Sequence, residues 1–211
     1  MKIGIIGSGD VARALASGCA AHGHTVMLGT RDPGKLAGFA AAHDRVDVGG
    51  AREAADFAEL AVLAVKGTAA LDALRPVADA LVGKTVIDTT NPIADAPPEG
   101  GVLRYFTGPN ESLLERLQGA FPEIRLVKAF NSVGAAGMID PRFEGGPPTM
   151  FIAGDDAGAK GRVAALLEEV GWEVADMGGA AAARAIEPLC MLWCIPGFVG
   201  GDWEHAFKLL R

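Results

Sequence analysis

The sequence predicts a doubly wound α/β domain: a mostly parallel sheet with helices on both faces and a helical cap at the C-terminal end. Three observations predict it. Short apolar runs alternate with longer amphipathic or Ala-rich segments, the order that gives right-handed βαβ crossovers. The apolar runs are continuous rather than alternating, as parallel strands buried on both faces require. A glycine-rich turn directly follows the first run and opens the first helical segment.

The elements follow in order. Residues 2–6 (KIGII) form a buried strand, 10–21 a helix and 24–29 (HTVMLG) a second strand. A helix over 34–42 leads to a weak strand at 46–48, and a short helix at 51–57 leads to a strong one at 60–65 (LAVLAV). Residues 69–81 read as a helix and 85–90 (TVIDTT) as a strand. The Pro- and Gly-rich stretch 91–110 reads as a long loop, and loops of that length inside a domain tend to border a site. The pattern resumes with a helix at 111–120 and strands at 124–130 (IRLVKAF) and 149–154. A helix at 157–170, a strand at 172–177 and an apolar helix over 180–194 lead to the tail GDWEHAFKLLR. There is no internal repeat or linker. The 211 residues form a single domain, with residues 180–211 as a pocket wall or dimer contact.

Composition narrows the function. Net charge is -7, so no overall field attracts nucleic acid or anionic lipid. The three cysteines, Cys19, Cys190 and Cys194, have no zinc-type spacing and read as buried, reduced thiols of a cytoplasmic protein. Met1 leads straight into a strand, which predicts no signal peptide. The longest apolar stretch, 189–199, is broken by Pro196 and Gly197 and falls short of the roughly 20 residues that cross a bilayer.

The glycine turn carries the first functional signal. GIIGSGDVA places Gly7, Gly9 and Ala12 in a G-x-G-x-x-A pattern between a strand and a helix. Gly7 permits the tight turn, and Gly9 lets the backbone approach a pyrophosphate. Ala12 keeps the helix close to the sheet, and the helix N-terminus supplies free N–H groups. In that setting the turn predicts a Rossmann-type dinucleotide site at Gly7, Ser8, Gly9, Asp10 and Val11.

The second strand decides between cofactors. NAD-binding folds place an acidic residue at its end for the ribose hydroxyls, and here the strand ends in Gly29-Thr30-Arg31. Arg31 suits bidentate bonds to a 2′-phosphate, Thr30 offers a hydroxyl and Lys35 adds a charge. Asp32 stands one residue late for the ribose and reads as a helix N-cap before Pro33. The expected cofactor is NADP(H).

The remaining strand ends supply Val65-Lys66-Gly67, Thr89-Thr90-Asn91-Pro92 and Ala129-Phe130-Asn131-Ser132. Lys66 suits an anion or is a solvated loop lysine. Asn91 bonds the ribose or carboxamide, or initiates the turn before Pro92. Phe130 packs on the cofactor ring or belongs to the core. Asn131, a buried polar group, needs a partner from backbone or ligand. Phe130, Asn131, Val133 and Met191 are the candidate contacts to a substrate; Val65, Lys66, Asn91 and Pro92 join the cofactor set. The four histidines fall away from these ends, and no catalytic triad or metal cluster emerges.

Taken together, KIGIIGSGDVA, GTRDPGK, LAVLAV, DTTNP, VKAFNSVGA and the closing FKLL resemble, in order and over essentially the whole chain, the small NADPH-binding oxidoreductases that include coenzyme F420-dependent NADP reductase. The family differs at Lys66 and Gly67, where the F420 enzymes often carry Pro and an aromatic. The resemblance implies NADPH at Ser8, Gly9, Asp10, Val11, Thr30, Arg31 and Lys35, with a deazaflavin or flavin ring laid against the nicotinamide. It also implies a site under the C-terminal helix and a homodimer. Hydride transfer between stacked rings asks the protein to hold them about 3–3.5 Å apart and exclude water. That agrees with the missing acid–base residues. The expected activity is hydride transfer between NADPH and F420. The alternatives are a flavin or small-carbonyl reductase, or a non-catalytic NADPH-binding sensor.

Overall fold

Five parallel pairings build the main sheet of the computed structural model, which describes residues 1–211. Its strands are β1 (Lys2–Ile6), β2 (Thr25–Gly29), β3 (Val46–Gly49), β4 (Leu60–Leu63), β5 (Thr85–Asp88) and β6 (Arg125–Lys128), in the order β3-β2-β1-β4-β5-β6. β7 (Thr149–Ile152) and β8 (Glu173–Asp176) pair parallel to each other. An antiparallel bridge between Lys128 and Ala153 ties them to β6. The doubly wound sheet is as the sequence predicts, with each strand one to three residues shorter than its apolar run or equal to it, except β3, which gains Gly49.

Helices cover both faces. On one, α1 (Asp10–Ala21) and α6 (Ala157–Glu169) bury Leu15, Ala16, Val163 and Leu167 against Ile3, Ile5, Val26 and Leu28. On the other, α3 (Ala51–Phe57), α4 (Ala70–Leu74) and α5 (Leu113–Ala120) bury Ala55, Leu74, Leu114 and Leu117 against Ile6, Leu63 and Val86. The short α2 (Ala37–Ala41) follows β2. At about 25 cal/mol per Å2 of apolar surface, these two cores supply the main driving force for folding.

Three expectations change. The helix over 34–42 is a 3-10 turn, Pro33–Leu36, followed by α2. The helix over 69–81 is α4 followed by a 3-10 segment, Arg75–Leu81. Pro76 has no N–H to continue the i→i−4 ladder, which explains the change of winding. The C-terminal helix does not stop at 194: α7 runs Ala183–Gly200 and ends at Gly201 in the left-handed region (φ 74°). With the turn before it, the segment Ala180–Gly200 is long and apolar enough to cross a membrane by length and composition. Here it is docked on the domain through Ala183, Ile186 and Glu187.

The 91–110 stretch is an ordered antiparallel arm. Ile93 bridges Tyr105 and Glu99 bridges Val102, while the Phe106 N–H donates to the Pro92 carbonyl at 2.8 Å. Its tip lies on α7: a β-carbon at Gly101 would sit 2.8 Å from Val199 Cγ2. The tail folds back over the same helix. The Trp193 indole donates to the His205 carbonyl at 2.8 Å, and the Thr149 N–H donates to the Phe207 carbonyl at 2.8 Å.

Candidate active site at the strand ends

The strand order reverses between β1 and β4, and ligands of open α/β sheets sit beyond the strand ends at such a point. Gly7 makes the turn after β1 with φ 145°, a conformation that L side chains rarely adopt. A β-carbon there would lie 2.1 Å from the Ala64 carbonyl oxygen. Gly9 is extended and opens α1 with no side-chain cap. A β-carbon at Gly9 would meet nothing within 4 Å, so the approach to the helix N-terminus is open. Ala12 is fully buried against the sheet. Ser8 and Asp10 are exposed and Val11 is half-buried; Asp10 pairs with Arg13 at 2.5 Å.

Beyond β2, the Thr30 N–H is fixed to the Gly49 carbonyl at 2.9 Å, and its hydroxyl accepts from the Asp32 N–H at 3.3 Å. Arg31 is exposed and pairs with no carboxylate. Asp32 occupies the cap position before Pro33, but its side chain caps nothing. It faces Lys35 at 3.6 Å instead, where both side chains are exposed. Arg31 is therefore the free cation of the pair, and Lys35 is already part-neutralised.

Across the crevice, Val65 is half-buried and Lys66 is exposed, with its nearest carboxylate, Asp95 on the arm, at 4.0 Å. Gly67 lets two strand ends meet, because a β-carbon there would fall 1.9 Å from the Asn91 carbonyl oxygen. The Asn91 amide donates to the Asn131 carbonyl at 2.8 Å. The Asn131 amide donates to Asn91 Oδ1 at 3.1 Å and to the Ile186 carbonyl on α7 at 3.0 Å. Asn131 thus has backbone and side-chain partners, yet its own Oδ1 is buried without a donor. Pro92 is buried, while Val133 and Met191 are half-buried. Gly134 runs under the Trp193 ring, where a β-carbon would lie 2.7 Å from it.

Phe130, a candidate substrate contact, is held in the interior. Its ring is 2% exposed and belongs to the core between the sheet and α1 and α6. Its backbone has φ 60°, a costly conformation for a non-glycine residue. The turn sends its N–H to Met150 Sδ at 3.1 Å and carries the chain from β6 into Asn131. Phe130 shapes the site through its backbone rather than its ring. Three histidines lie away from the strand ends: His22 bonds Asp140, His24 faces Glu169 and His43 bonds the Phe39 carbonyl. His205 returns from the tail to Trp193, bonding its carbonyl at 2.8 Å with the two rings 5.1 Å apart.

Sequence reasoning missed a cluster directly behind the asparagines. Lys128 Nζ lies 2.6 Å from Asp88 Oδ2 and 2.9 Å from Glu187 Oε1, all three side chains being at most 2% exposed. Burial opposes the lysine charge, but the two carboxylates override it and hold its pKa above the ordinary lysine value. The signal was present: Asp88 and Lys128 are register partners in adjacent apolar strands, and Glu187 is the one carboxylate in an apolar helix. A buried lysine demands a buried counter-charge.

These features fit a phosphorylated dinucleotide. The open Gly9 turn would take the pyrophosphate, Thr30 and Arg31 the 2′-phosphate, and the Asn91–Asn131 pair would lie toward the nicotinamide end.

Comparison with known proteins agrees. Residues 2–92 match the family described as NADP oxidoreductase, coenzyme F420-dependent. The chain is 34% identical over 206 residues to F420-dependent NADP reductase of Methanothermobacter marburgensis, covering 91% of this chain and 90% of that protein. It is 34% identical over 200 residues to Metalloreductase STEAP3 of Rattus norvegicus, covering 92% of this chain but 38% of that protein. The chain thus spans little more than a third of that relative's length. A crystal structure from Arthrobacter sp. FB24, provisionally described as an F420-dependent NADP reductase, superposes over 100% of both chains with a TM-score of 0.92 and 35% identity. The chain belongs to the coenzyme F420-dependent NADP oxidoreductase family and is an NADP-dependent oxidoreductase.

Proposed function

We propose that this protein transfers hydride between NADPH and coenzyme F420 in the cleft between the strand ends and α7. Bound there, NADPH supplies the hydride and the deazaflavin ring of F420 takes it up. The chain's own part is to bind, orient and keep out water. The α1 N-terminus and Arg31 anchor phosphates, Asn91 and Asn131 present amides, and α7 with Met191 and Trp193 walls off the solvent.

One observation carries this reading: the buried acids beside the Asn91–Asn131 pair are withdrawn into internal bonds, while Lys66 stands exposed near Asp95 at 4.0 Å. Lys128 is fully buried in ion pairs. Tyr105 donates its hydroxyl to the Glu187 carbonyl at 2.7 Å, and burial raises its pKa. Hydride transfer to the deazaflavin leaves a ring-nitrogen anion that can take its proton from solvent, whereas carbonyl reduction requires a side-chain donor within hydrogen-bond reach. NADPH oxidation is measured with F420, with FMN and with a panel of carbonyls. Turnover of F420 well above the other acceptors is expected. Turnover of FMN alone would replace F420 by a flavin, and NADPH binding without any turnover would leave a sensor.

The same reading pairs two copies of the chain. Leu192 (54% exposed) and Val199 (70%), seven residues apart and so on one face of α7, with Val102 (40%) from the arm, make an apolar strip behind the site wall. A second copy is the proposed cover.

A further inference from the structure

We propose that Lys128, with Asp88 and Glu187, is a positioning device for the acceptor side of this cleft, fixing α7 against the two asparagine-bearing strand ends. The inference rests on the reading of the cleft as the hydride-transfer site.

The connections are specific. Lys128 Nζ donates to the Thr90 carbonyl at 2.7 Å, one residue before Asn91. Asp88 Oδ1 accepts from the Thr90 N–H at 2.9 Å and from its hydroxyl at 2.6 Å. Glu187 accepts from the Leu113 and Leu114 N–H groups at 2.9 and 3.0 Å, the free donors at the start of α5. Next to Glu187, the Ile186 carbonyl receives the Asn131 amide. The Glu187 carbonyl receives the Tyr105 hydroxyl from the arm. Residues 186 and 187 of α7 are thereby tied to β6 and through Lys128 to β5, to the loop after β6, to α5 and to the arm. Met191 stands one helical turn further on, and residues four apart share a helix face. Holding Glu187 therefore also holds half-buried Met191.

Stability alone does not account for this arrangement. Burying three charges carries a desolvation cost that their attraction only roughly offsets, and well-packed apolar groups often serve as well. What apolar groups cannot supply is direction. Lys128 must satisfy Asp88, Glu187 and the Thr90 carbonyl together, so the helix has one seat against the strand ends. A slide of α7 by one residue would strand Glu187 from both α5 donors.

The test uses Glu187→Gln. The amide replaces one acceptor oxygen by a donor that faces either Lys128 or an α5 N–H, and so unseats α7 locally. KM for F420 and FMN is measured alongside the NADPH dissociation constant, with K128M/D88N/E187Q as a charge-free companion should the single variant fold poorly. The expected result is a fivefold or larger rise in acceptor KM with NADPH affinity within twofold of the parent. A fall in apparent kcat at unchanged KM would mean fewer folded molecules and a purely structural network, overturning the inference. An equal loss of NADPH and acceptor affinity would place the network in the cofactor site and also overturn it. A parent protein that turns over neither acceptor would instead sink the hydride-transfer reading, and the inference with it.

Discussion

Gly7, Gly9 and Arg31 separate what a residue does for the fold from what it does for the cofactor. Gly7 has a left-handed φ and no room for a methyl group beside Ala64. Gly7→Ala should therefore cost on the order of 3 kcal/mol in urea unfolding, combining backbone strain and overpacking. Gly9 has an ordinary extended backbone and open space. Gly9→Ala should cost at most about 1 kcal/mol of stability as a changed cap, yet weaken NADPH roughly tenfold because the methyl stands where the ligand approaches. Arg31 has no carboxylate partner, so Arg31→Ala should leave the melting temperature alone. It should weaken NADPH by about 1.5–3 kcal/mol, the scale of charge-assisted bonds, and leave NADH nearly unchanged. A titration showing equal losses for both cofactors would sink the phosphate assignment. All three expectations come from the sequence because a local motif carries each of them. Asp32 was legible only in position: that its carboxylate turns to Lys35 rather than to the helix depends on side-chain geometry that spacing does not encode. Phe130 reads from sequence as a ring contact or as core, and the left-handed backbone it adopts has no sequence signature in a phenylalanine.

At the scale of elements, the continuous apolar runs located every strand, since burial on both faces leaves few polar positions. Helices were less legible where proline changes the winding, as at Pro33 and Pro76, and the arm at 91–106 looked like loop because its pairing is two isolated bridges. The charges that join elements were least legible, because their partners lie far apart in sequence. Lys128 and Glu187 are 59 residues apart and meet only once α7 docks. The exposed side of that docking is the Arg184–Glu115 pair between α7 and α5 at 2.6 Å. The Arg184 bond comes first among the causes that hold the Glu115 carboxyl down at about 2, with its capping bonds to Ser112 adding to it. A depressed carboxyl pKa stabilises the fold fully above its unfolded value, near 4.5, and the contribution fades as pH falls toward 2. Solvent around Arg184 limits the effect to about 1 kcal/mol. Glu115→Gln should therefore be less stable than the parent at pH 6 by about that amount, and the gap should close as both are unfolded at successively lower pH from 4.5 downward. A gap that stays constant across that range would show that the pair contributes nothing through charge.

For the whole molecule, the decisive feature is where apolar surface remains after folding. The two cores take up the sheet faces, and the tail covers Trp193 and packs Trp203 on Phe198, yet α7 still presents Leu192 and Val199 beside Val102. Exposed apolar side chains scattered singly need no explanation, but a contiguous strip along one helix does. The strip lies on the outer side of the same helix whose inner side holds Glu187 and walls the cleft. Covering it with a second copy would brace that wall from behind, so assembly and acceptor binding should be coupled. Light scattering with size-exclusion chromatography is expected to give twice the chain mass for the parent. The double substitution L192D/V199D places charges on the strip without touching the buried face and should give the single-chain mass with native circular dichroism. If bracing is real, the monomeric variant keeps NADPH affinity and raises acceptor KM, the same split expected for Glu187→Gln, because both loosen α7. A parent that elutes as one chain would remove the dimer. A monomeric variant with unchanged acceptor KM would keep the dimer but detach it from the site, leaving the charge network alone to hold the wall.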